Sequence, residues 1–315
     1  MNLLKTIVFT LSLWCIFNLD PTWATETIPS ATTLQATIVT AAGKPVDLDP
    51  LILNLAQQQI VYLGETHDRA IDHQIQLEII QKLHRSQPNL TIAFEQFQRP
   101  YQSVLNNYQN GKITEAQLLE QSEYVKRWGF SWAFYAPILQ FAKNNQIPLI
   151  ALNTPSEVTR KVSRQGLDSL TFTDRRFIPP RSEISIGPES YRDRLQKIYR
   201  EMHQGKGNSQ GFNRFFEAQI LWDETMADRL AQATRQNPDR LIIVLVGQGH
   251  LLYQDGIPQR VLRRVRSAKS SQPFQSFQQT TILLNPDPSW DRFEPSTQQP
   301  IADILWSTQP SDPKP

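Results

Sequence analysis

Four polar phrases in this chain each follow directly on a run of aliphatic residues. They are Gly64-Glu65-Thr66-His67 after IVYL, Glu95-Gln96-Phe97 after LTIAF, Asn153-Thr154-Pro155 after PLIAL, and Gly247-Gln248-Gly249-His250 after LIIVLV. Imidazoles ligate metals or move protons near neutral pH. Glu65 and Glu95 add carboxylates that hold a cation, orient an imidazole or act as bases. Gly64-x-x-His67 and Gly247-x-x-His250 form a matched pair, each with a glycine that lets the backbone turn sharply and a ligand approach. The set His67, His250, Glu65 and Glu95 is therefore the candidate centre, either for acid–base catalysis or for a divalent metal.

Such a centre needs a scaffold that brings distant segments together. Uninterrupted apolar runs read as strands buried on both faces, which implies an α/β fold with a mostly parallel central sheet flanked by helices. Ligand sites of such sheets lie beyond the carboxyl ends of the strands. Strands are expected at 33–40, 60–64, over LTIAF, over PLIAL, at 241–246 and at 280–285. Helical periodicity spans about 70–85, 101–109, 114–123, 132–144, 190–203, 211–236 and 258–267, the last strongly basic. Thr114 followed by Gln117 has the capping-box form. Pro137 is expected to bend or restart its helix. Residues 166–190, with Pro179-Pro180, Gly187-Pro188, Arg175, Arg176 and Arg181, break the pattern and read as a lid or insertion.

The expected organisation is a signal peptide over 1–24, a leader over 25–50, one α/β domain over 51–285 and a Pro-rich tail over 286–315. Within that tail, Ile304-Leu305-Trp306 is apolar enough to tuck back onto the body. Lys5 and the apolar stretch 6–19 fit an export signal better than a spanning helix, which needs about 20 apolar residues. An uncleaved anchor is the alternative. Export implies the periplasm or another extracytoplasmic compartment, with or without membrane association. The single cysteine, Cys15, lies in that segment, so the remainder offers neither thiolate chemistry nor a cysteine-based metal site. A net charge of +2 from 32 cations and 30 anions, without long runs of one sign, argues against a nucleic-acid partner.

Each candidate has a plainer reading as a satisfied structural polar. Asn153 begins an Asn-Thr-Pro sequence that also serves as an ordinary helix entry. His73 lies a short way beyond His67, with pairing to Asp72 or Gln76 as its structural alternative. Residues 128–135, WGFSWAFY, are rich enough in aromatics to line an apolar pocket, or simply to start a packed helix. On the 211–236 helix, Gln219 and Asp223 share a face with Phe212, Phe215, Phe216, Trp222 and Met226. Two polar groups on such a stripe need partners, and the strand-end cluster is the natural place for them.

GETHD, AFEQF, W-x-x-x-Y-A-P, IALN-x-P, F-x-x-A-Q-x-x-W-D-x-x-M-A and VGQGH, in that order, resemble the ChaN family over about residues 55–285. That family of haem-binding, iron-regulated envelope proteins shares a superfamily with Tiki metalloproteases, TraB proteins and erythromycin esterases. The resemblance implies an α/β fold and a dimer-associated haem site, and places the superfamily's histidines and glutamates at His67, His250, Glu65 and Glu95. It implies haem in a pocket lined by His67, Tyr135, Glu95, Asn153, Gln219, Asp223 and His250, with Tyr135 and then His67 as iron ligand. A homodimer and envelope transport components are the implied partners. Trp14 before Cys15 departs from the signal of lipidated relatives. A metal-assisted hydrolase of the Tiki or erythromycin-esterase type is the alternative function.

Overall fold

The computed structural model describes residues 36–205, 207–267 and 277–308. The export signal expected at 1–24 lies outside the described residues.

The apolar runs form the strands β2 (Ile60–Glu65), β3 (Leu90–Gln98), β4 (Leu149–Asn153), β5 (Leu241–Gly247) and β6 (Gln279–Leu284). With the edge strands β1 (Ala36–Thr40) and β7 (Ile304–Thr308) they make one sheet in the order β1-β7-β6-β2-β5-β3-β4. All neighbouring pairs are parallel except β1 with β7. Every residue of β2, β3, β4 and β5 is buried, as expected of parallel strands covered on both faces.

One face is covered by α1 (Leu48–Leu55), α2 (Ala70–Ser86), α3 (Gln102–Gln109), α4 (Glu115–Gln121), α5 (Tyr124–Arg127) and α6 (Trp132–Asn144). Thr114 caps α4 with the reciprocal Gln117 bond expected of a capping box. Helix α6 runs through Pro137 as a single element, without a restart. After α7 (Ser156–Gln165) and α8 (Glu189–Met202), the C-terminal half of α9 (Ser209–Gln236) covers the other face with α10 (Ile257–Ser267). At 28 residues, α9 outruns the sheet. Its first half packs Phe212, Phe215 and Phe216 against α7, α8 and the 166–188 segment. That segment is a chain of single 3-10 turns that buries Leu167, Leu170, Ile178 and Ile184 in this helical unit.

Beyond Pro286, Ile304–Thr308 does fold back, lying parallel to β6 and antiparallel to β1, with Trp306 in the core. Helix α10 is basic in sequence but buries Arg260 and Arg264. Both turn toward Glu224 of α9, an acid with no solvent exposure.

Candidate functional site

Strands β2, β5 and β3 are adjacent at the sheet's centre, so their carboxyl ends open side by side. Glu65 and Gly247 are register partners across β2 and β5. Alternation along the strands divides the polar ends between the two faces of the sheet.

On the α2/α6 side, Glu65 is enclosed by donors. Its Oε1 accepts from the Tyr135 hydroxyl at 2.6 Å and from Gln96 Nε2 at 3.1 Å, and lies 2.9 Å from His67 Nδ1. Its Oε2 accepts from Gln76 Nε2 at 2.7 Å and lies 3.6 Å from His73 Nδ1. Burial alone would raise the Glu65 carboxyl. The charge of His73 and the His67 hydrogen bond outweigh it, and the group is held at about 2. His73 is fixed by Gln76 Oε1 at 3.2 Å and by the His67 carbonyl at 3.1 Å, and it stacks on Phe134. It supports the His67 turn from below, and of the two pairings expected for it, Gln76 is the one formed.

On the α9 side, Glu95 Oε2 accepts from the Gly247 amide at 2.7 Å, and its Oε1 lies 3.4 Å from His250 Nε2. His250 Nδ1 lies 2.5 Å from Asp223 Oδ1. Burial disfavours charge on this imidazole, yet Glu95 and Asp223 outweigh it and push it up to about 10. The Glu95 carboxyl is lowered despite burial, chiefly by His250.

The two groups meet at Gly247. A Cβ there would fall 2.8 Å from His67 Cε1, 2.9 Å from Nε2 and 3.6 Å from Glu95 Oε2, so only glycine lets the His67 ring lie over the end of β5. His67 itself packs edge-on to Trp128 at 4.7 Å and beside Phe130 at 5.0 Å between ring centres. Burial opposes its charge too, but the Glu65 bond and the Glu95 and Glu65 charges raise it. Among the described residues its Nε2 has no hydrogen-bond partner. The arrangement is thus two carboxylate-held imidazoles on either side of one glycine.

The remaining candidates are placed differently. Asp223 joins the centre through His250. Gln219, one turn earlier on α9, is buried, and among the described residues its Nε2 has no partner. Asn153 accepts from the Thr154 amide at 2.8 Å, a local turn at the entry to α7, and bonds to neither imidazole group. Tyr135 is fully buried with its hydroxyl spent on Glu65, and burial raises it well above the usual tyrosine range. Iron ligation requires an accessible oxygen able to shed its proton, and the hydroxyl as placed here is neither exposed nor free of Glu65. The divalent-metal reading of His67, His250, Glu65 and Glu95 gives way. Four side chains already occupy the Glu65 oxygens, and among the described residues no three His, Cys, Asp or Glu side chains form a metal-holding group. Gln96, Tyr191 and Arg260 were not expected, and Gln76, three residues from His73 on one helix, was expected as that imidazole's partner and not as a donor to Glu65.

The family model described as "Haem-binding uptake, Tiki superfamily, ChaN" matches residues 51–261. The chain belongs to the ChaN family. Its fold is similar to a structure described as cofacial haem binding to ChaN of Campylobacter jejuni. The TM-score is 0.66 at 18% identity, covering 87% of this chain and 97% of that one. An open-conformation erythromycin esterase mutant also aligns, at a TM-score of 0.45 and 14% identity over 87% of this chain and 83% of that one. Among curated proteins, RETICULATA-RELATED 5, chloroplastic, of Arabidopsis thaliana is 28% identical over 265 residues. That match takes in 80% of this chain but 34% of the plant protein, so the chain spans about a third of its relative's length.

Proposed function

We propose that this ChaN-family chain is an exported haem-binding protein serving haem or iron uptake, with His67 as the iron ligand. The observation that carries the reading is the state of that imidazole. Its Nδ1 is held by a buried carboxylate, its Nε2 is unbonded, and Trp128 and Phe130 flank the ring. A carboxylate behind an iron-ligating histidine fixes the ring and raises its basicity. Haem would supply an open iron coordination position and a flat apolar face, which these residues suit in donor type and in lining. Arginines of the 166–188 segment, Arg176 among them, are the candidates for its propionates. Export rests on the N-terminal segment, and a homodimer on the family resemblance. Titrating haem into purified protein should give a Soret band distinct from free haem that His67→Ala abolishes and Tyr135→Phe keeps. A free-haem spectrum in the wild type, or one indifferent to His67→Ala, overturns the assignment.

A second reading has its own observation, the Asp223–His250–Glu95 row facing His67 across Gly247. Two imidazoles held by separate carboxylates are equipped for acid–base hydrolysis of an ester or peptide without a metal. Chelator-resistant turnover lost in His250→Gln and Glu95→Gln supports it, and inertness across an ester and peptide panel removes it.

A further inference from the structure

Asp223 has two oxygens, and only Oδ1 meets His250. Its Oδ2 accepts from the Tyr191 hydroxyl at 2.6 Å. Arg260 adds a guanidinium Nη1 at 3.9 Å, while its Cζ lies over the Tyr191 ring at 4.8 Å. The same Nη1 donates to the Gly256 carbonyl at 2.9 Å and to the Asp255 carbonyl. Gly256 is where the chain after His250 folds back against it, close enough that a Cβ would collide with the His250 carbonyl. Arg260 thus ties the turn that follows the imidazole to the acid that holds it. Tyr191 is 2% exposed, and its ring packs against Phe216 within the helical unit.

Tyr191 belongs to α8, not to any strand end, and nothing in the sequence links it to the centre. We propose that Tyr191 is a positioning residue of the His250 dyad. It locks Asp223 so that Oδ1 holds the Nδ1–H of the imidazole and the ring keeps Nε2 aimed at Glu95. The physical reason is geometric. A carboxylate with one free oxygen can rotate about its last torsion, which is broad for Asp. A phenol donor on Oδ2 and a cation beside it remove that freedom and leave one orientation in which Oδ1 faces the ring. The consequence is a mechanical link. Helix α8 reaches Asp223 through this hydroxyl, while Ser190 and Arg194 of the same helix hold Asp255 in the turn after His250. Any shift of α8 relative to α9 therefore releases Asp223 and loosens His250.

The inference deepens the acid–base reading and rests on it for its catalytic meaning, but its test does not need turnover. In proton NMR of the full chain, the His250 Nδ1 proton is identified as the downfield imidazole signal missing from His250→Gln. The wild type should show it as a slowly exchanging resonance. Tyr191→Phe keeps the ring against Phe216 and removes only the oxygen, and the signal should be lost to exchange. Tyr199→Phe, a hydroxyl removed from the same helix but away from Asp223, should leave it sharp. A signal unchanged in Tyr191→Phe, absent from the wild type, or lost equally in Tyr199→Phe overturns the proposal. An inert but NMR-normal protein would instead sink the hydrolase reading and leave Tyr191 in its place.

Discussion

Gly247 and His67 meet where β5 ends, with the imidazole lying over the glycine in the space a side chain would fill. The contact joins two segments 180 residues apart and makes the glycine a condition of the centre. It is not merely a loosening of the turn.

Gly247→Ala therefore places a methyl within 3 Å of His67 Cε1 and Nε2, and the ring must move because β5 is locked between β2 and β3. Overpacking of this kind costs about 1–3 kcal/mol. The expected result is a folded protein with a lower urea midpoint and a weakened haem Soret band. A variant that keeps the wild-type spectrum would mean that His67 does not hold the iron.

Tyr135→Phe separates two roles for one hydroxyl. Removing it leaves the buried Glu65 oxygen with one donor fewer, at a cost of about 1–3 kcal/mol. Haem binding should persist, since the phenol is sealed on the inner face of α6. Denaturant unfolding beside the Soret titration reads both, and loss of haem with unchanged stability would restore Tyr135 as the ligand.

The strand ends were legible because buried parallel strands announce themselves as unbroken aliphatic runs, and a Glu or His immediately after one has little choice of position. Glu65, Glu95, His67 and His250 are placed that way. Asp223 was legible as a polar residue on an apolar stripe, and its partner is the strand-end imidazole. The depth of Tyr135, offered as iron ligand through the family resemblance, was not legible because helical spacing does not reveal burial. The residue sits on the inner face of α6, whereas iron ligation needs an open one. Tyr191 and Arg260 were illegible for another reason. Their contacts with Asp223 join three helices through a packing that no local pattern encodes. The burial of the α10 arginines was illegible in its basic sequence because Glu224, their counter-charge, lies 36 or more residues away.

Glu224 is the acid that makes that basic helix foldable. Its carboxylate accepts from Arg264 Nη2 and Arg263 Nη2 at 2.7 Å each and faces Arg260 Nε at 3.4 Å. Glu224→Ala strands two buried guanidinium groups, and breaking buried pairs of this kind costs about 3–5 kcal/mol. The variant should show a large drop in melting temperature. A drop of only a degree or two would show that Asp228 and Glu183, the other acids near Arg264, suffice.

His250 gives the centre a pH signature with a fixed sign. Its pKa is raised from 6.5 to about 10 in the folded chain, so its protonation stabilises the fold fully below pH 6.5. That contribution fades as pH climbs toward 10. His250→Gln removes the cation and leaves Glu95 and Asp223 buried without it, a loss of about 3–5 kcal/mol near neutrality. As the wild type gives up the same proton at alkaline pH, the difference between the two proteins must shrink. Urea midpoints of both, measured from pH 6 to 10, should converge. A gap that stays constant across that range would mean that the imidazole is neutral between its two carboxylates, and the acid–base reading would lose its proton donor.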